Sequence, residues 1–140
     1  MNIYIIKRQI KCLVLMIYPV LGISQNQNVQ KQIDLQNDAI WEIHNSGDSA
    51  RQMAVITAKK IIVEAKKNDY WKGIANAYST IAHSGLISKE YETARIYYDS
   101  CIYFRRKDKD SCGVAAAYIN YVSLYSGLGD YLTAIKFGNL

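Results

Sequence analysis

Proline is almost missing from this 140-residue chain, and no run of Gly, Ser or Asn is long enough to act as a linker. With breakers this scarce and alanine frequent, long uninterrupted helices are expected and an all-α fold is favoured. Histidine is also scarce. His44 and His83 are too few and too far apart in sequence for a histidine-based metal site. Ser84 beside Gly85 lacks a Gly-x-Ser-x-Gly context. No glycine run is followed by Gly-Lys-Ser/Thr, so a phosphate loop is excluded. No pair of acids has a spacing that argues for acid–base work. The sequence therefore nominates no catalytic residue, no cofactor and no metal ligand, and a non-enzymatic role is expected.

Half of the residues are apolar and about a fifth are charged, a balance that suits one globular domain with a continuous core. The 12 tyrosines suit helices packed in layers, with rings buried and hydroxyls at the edge. The formal charge of +5 shrinks on inspection. Setting aside Lys7, Arg8 and Lys11 leaves 14 basic against 12 acidic residues, a balance of about +2. What remains alternates in sign, as in Arg105-Arg106-Lys107-Asp108-Lys109-Asp110, which reads as a solvated helix end and loop rather than a nucleic-acid patch.

The first 24 residues read as an address. A basic stretch, Met1 to Lys11, precedes the apolar Cys12 to Ile23, and Gly22-Ile23-Ser24 offers small residues before the polar Gln25-Asn26-Gln27-Asn28. That order is a signal peptide with cleavage after Ser24. Twelve apolar residues span about 18 Å as a helix, short of the ~30 Å hydrocarbon core. Ile3 to Ile6 is apolar as well, so an uncleaved N-terminal anchor stays open as the alternative. Cys12 stands at the start of the apolar region rather than at its end and is not read as a lipidation site. Cys101 and Cys112 are expected as free thiols.

Residues 25–140 carry an internal period of forty. Gly73-Ile74-Ala75-Asn76-Ala77-Tyr78 aligns with Gly113-Val114-Ala115-Ala116-Ala117-Tyr118, and Glu90-Tyr91-Glu92-Thr93-Ala94 aligns without a gap with Asp130-Tyr131-Leu132-Thr133-Ala134. The identities fall on small and aromatic residues, where packing tolerates least change. Each unit reads as two helices with a break between them: Ser84-Gly85 to Ser88 in one unit, Ser126 to Asp130 in the next, where Asp130 is placed to cap the following helix. An earlier, degenerate unit spans 29–68, with Ala54 forty residues before Ala94. The units are then 29–68, 69–108 and a shortened 109–140, about three helix pairs with the last incomplete.

Tyr118, Tyr121-Val122, Tyr125, Gly129-Asp130-Tyr131 and Ala134 together resemble the tetratricopeptide repeat, and the forty-residue period looks like the longer arrays common in bacterial sensor and regulatory proteins. The middle unit departs from the pattern: Lys89 replaces its turn glycine, Gly85 replaces a tyrosine, and the closing proline is missing. The resemblance implies a helical-repeat solenoid whose first helices line a groove for a protein or peptide. Transferred position by position, that groove carries Asn76, Ser79, His83, Ile119, Asn120 and Ser123, polar and nearly uncharged. The clamp that some family members use for a terminal carboxylate is not met, because Ser79 and His83 stand where it would lie and Asn120 matches one position alone.

Taken together, the expectation is an exported, periplasmic or secreted interaction module that binds a protein or peptide and no nucleic acid, with membrane contact only through an uncleaved leader. The alternative is a periplasmic sensor segment of a larger signalling protein, a histidine kinase or transcriptional regulator, continuing beyond Leu140.

Overall fold

A computed structural model of the chain describes residues 25–139. The expected leader, 1–24, lies outside the described residues. Within them the chain is all-helical, six helices in sequence: α1 over 25–43, α2 Asp48–Lys67, α3 Trp71–Ile87, α4 Tyr91–Lys107, α5 Ser111–Gly127 and α6 Tyr131–Gly138. Each of α2 to α6 packs on its neighbour in sequence, and α3 also touches α5. Among the described residues no strand is present, and no helix is long and apolar enough to cross a membrane.

The helices are built on narrow small-residue stripes. Ala54, Ala58, Ile61, Ile62 and Ala65 are the buried residues of α2, at steps of three and four with one adjacent pair. In α4 the buried set is Ala94, Tyr98, Cys101 and Ile102. Ala94 is fully buried, and a Cβ built on Gly85 would lie 3.4 Å from the Ala94 Cβ, so α3 and α4 meet with almost no side chain between them. The close contact explains a difference from the sequence reading. Gly85 does not end a helix; α3 runs through it to Ile87. Glycine inside a helix costs about 1 kcal/mol relative to alanine, and burial of the α3–α4 seam outweighs that local preference.

Gly73 and Gly113, aligned in the repeat, are both places of close approach. A Cβ at Gly73 would fall 2.6 Å from the Ile33 Cγ2 of α1, and one at Gly113 would collide with Asp110 and Arg105. Asp110 instead accepts a hydrogen bond from the Gly113 amide at 2.8 Å and caps α5. That bond, with Arg105 alongside, holds the Asp110 carboxyl below its usual range. Asp130 caps α6 through the Thr133 amide at 3.1 Å, as its position in the sequence suggested.

The connections repeat twice as often as the units. Asp69, Lys89, Lys109 and Gly129, spaced by twenty, all hold positive φ, at 50°, 61°, 58° and 78°. At each, the next residue's amide reaches back to the carbonyl five residues earlier: Tyr70 to Ala65, Glu90 to Gly85, Asp110 to Arg105 and Asp130 to Tyr125, at 2.8–3.0 Å. The left-handed residue's own amide bonds the carbonyl three back. This is the Schellman arrangement, which satisfies the last carbonyls of a helix and turns the chain. Gly129 suits the left-handed conformation best, and Asp69 tolerates it better than the two lysines. Lys89 carries a Cβ penalty of about 1–2 kcal/mol there. Replacing Lys89→Gly is expected to stabilise the chain by about 0.5–1 kcal/mol, after the larger unfolded-state entropy of glycine is subtracted. Urea unfolding checks this against Lys89→Ala, which keeps the Cβ and should match wild type.

Candidate functional site

Several polar side chains of α1 and α3 come together between those two helices. A pocket of about 220 Å³ is lined by Asn37, Asp38 and Trp41 from α1, Asn76, Ser79 and Thr80 from α3, and Arg105 reaching in from α4. Asn37 is only 3 % exposed; its Nδ2 donates to the Gly73 carbonyl at 3.1 Å while its Oδ1 has no partner. Arg105 donates to the Asp110 carboxylate at 2.6 Å and to the Asn76 Oδ1 at 2.7 Å, which leaves its Nε without a partner. A buried polar atom left unpaired costs about 1–3 kcal/mol. Two residues of the pocket wall thus each hold one buried polar atom without a hydrogen-bond partner, an acceptor on Asn37 and a donor on Arg105.

Beside the pocket the two histidines meet. Far from being isolated, His44 is fully buried just after α1, and its Nε2 lies 2.7 Å from the His83 Nδ1 of α3. Its Nδ1 faces the Trp41 carbonyl, which can only accept, so that nitrogen carries the proton. With that proton on Nδ1, the His44 Nε2 faces the His83 Nδ1 as acceptor to donor, and the His83 Nε2 keeps a lone pair. Trp41 packs against both rings, at 4.5 Å and 5.3 Å between centroids. Burial first, and His44 second, push the His83 pKa below its ordinary value.

Of the residues assigned to a groove from the sequence, Asn76 and Ser79 line the pocket. His83 stands next to it through Trp41. Ile119, Asn120 and Ser123 lie on α5, outside the pocket, with Ile119 and Ser123 exposed and Asn120 half-buried. The face is also less neutral than expected, since Arg105 and Asp38 border it. Sequence reasoning missed Asn37, Trp41 as a pocket wall, His44 and Arg105. Asn37 and Arg105 meet their partners 36 and 29 residues away, which no local pattern reports. Cys101 is free and buried, and burial raises its thiol pKa; Cys112 is free and exposed. Among the described residues no three His, Cys, Asp or Glu side chains are grouped to hold a metal ion. Comparison with protein-family models, with curated proteins and with solved structures finds no match to this chain.

The histidine pair makes stability depend on pH with a definite sign. The folded His83 pKa lies below the unfolded value of about 6.5. Between those two values the unfolded chain binds the extra proton, so folding is weakened. Stability from this site is full above pH 6.5 and falls as pH drops below it toward the folded value. Urea unfolding at pH 7.5 and 5.5 is expected to show a loss for wild type and a smaller loss for His83→Gln. Equal losses in the two proteins would contradict the assignment.

Proposed function

We propose that the chain is an exported, tetratricopeptide-like helical-repeat module that binds an extended protein or peptide segment along the α1–α3 face and catalyses no reaction. The observation that carries this reading is the pair of unsatisfied groups in the pocket, Asn37 Oδ1 and Arg105 Nε. A peptide unit offers one N–H donor and one carbonyl acceptor, which would satisfy that pair once the Asn37 and Arg105 side chains turn their buried atoms toward the pocket. Ser79 at the rim supplies a further hydroxyl, and the half-exposed Trp41 supplies apolar area on a stiff side chain. The balanced charge around the pocket favours recognition of backbone over a strongly charged tail. Export rests on the basic-then-apolar leader of residues 1–24.

Selection from a displayed random-peptide library against the full chain tests the proposal. Enriched peptides are expected to compete with one another for one site. Asn37→Leu keeps much of the volume and removes the unsatisfied oxygen. It is expected to fold, and to weaken the selected peptides by about tenfold, the equivalent of one hydrogen bond to a buried group, about 1.4 kcal/mol. Failure to enrich any peptide, or unchanged affinity in a folded Asn37→Leu protein, would contradict the reading.

A further inference from the structure

Where α3 meets α2 and α4 lies a larger pocket that the internal repeat itself explains. It measures about 420 Å³ and lies between α2 and α4 over the end of α3, with Val55, Ile81, Gly85 and Tyr97 among its walls. One period of forty later, Val55 corresponds to Arg95, Ile81 to Tyr121, Gly85 to Tyr125 and Tyr97 to Phe137.

At the later interface the space is filled by rings. Tyr125 stacks on Phe137 at 5.5 Å and 11° and on Tyr121 at 5.9 Å and 25°, and Tyr121 lies 4.7 Å from Phe137. At the earlier interface glycine stands where Tyr125 would be, and the ring's place is open. Two further exchanges make the opening polar: Ser84 stands for Leu124 and Ser88 for Leu128. The helices carrying these residues are alike, both of 17 residues, and Ser88 and Leu128 share a φ of −76°. The two interfaces thus differ in the side chains they bring together and not in the length of the helices that carry them.

Two cations border it. Arg51 is held by the well-exposed Asp48, and its Nε has no partner. Lys59 also lines the pocket and pairs with no acid among the described residues. Asp48 and Glu90 lie at the same rim, both exposed. The geometry points to a binding site for a small planar aromatic acid. Its ring would take the place that Tyr125 fills one repeat later, against Tyr97, and its carboxylate would pair with Arg51 and Lys59. The volume lies within the range of small-molecule sites, about 300–1,000 Å³. This site shares no lining residue with the proposed peptide site and stands or falls separately.

Titration of the full chain with indole-3-acetate, followed by NMR, tests the inference. Saturable shifts are expected at the Val55 and Ile81 methyl groups. Gly85→Tyr restores the missing ring, and Ser88→Leu fills the rim with the residue found at 128. Each is expected to weaken binding at least tenfold. If Gly85→Tyr does not fold, Ser88→Leu alone decides. Arg51→Met should weaken indole-3-acetate while leaving neutral indole unchanged. Absence of saturable shifts, or wild-type affinity in the folded filled variants, would overturn the inference. So would equal binding of N-acetyl-tyrosinamide, which would make the occupant an aromatic side chain of another protein.

Discussion

The α3–α4 seam at Ala94 is the contact on which the rest of the arrangement depends. Ala54, Ala94 and Ala134 recur every forty residues, and all three are buried. A methyl group there lets two helices approach closely, and the larger side chains are then directed to the flanks of the seam. Tyr98 and Leu124, both fully buried, fill the spaces beside it. Tyr97 packs against both core clusters and joins the first half of the packing to the second.

Much of the architecture was legible in the sequence because it depends on local signals. Helical spacing, the repeated Gly-x-Ala-x-Ala-Tyr opening and the cap at Asp130 are each written within a few residues. The turns were only partly legible. Gly129 marks its left-handed position and Asp69 is compatible with its own, whereas Lys89 and Lys109 adopt the same conformation without the residue type that signals it. There, helix burial on both sides overrides local preference. Gly85 misled in the opposite direction, a breaker by type that tertiary contact keeps inside α3.

The site was less legible because it is made by contacts between units. His44 and His83 are 39 residues apart and share a hydrogen bond. The two interfaces also differ in character. The earlier one has Asn37, the histidine pair, Ser84, Gly85 and Ser88, while the later one has Tyr121, Leu124, Tyr125 and Leu128. An array needing only stability would favour the aromatic version at both places. Polar groups and open space at the first interface are what the two proposed sites are built from.

The central claim is that the small residue at Ala94 sets the separation of α3 and α4. Chemical denaturation of Ala94→Leu tests it most directly, with Ile96→Leu, at an exposed position two residues away, as the control. Overpacking the seam is expected to destabilise the chain by about 1–3 kcal/mol, while the control stays within about 0.5 kcal/mol of wild type. An Ala94→Leu protein as stable as the control would contradict the account.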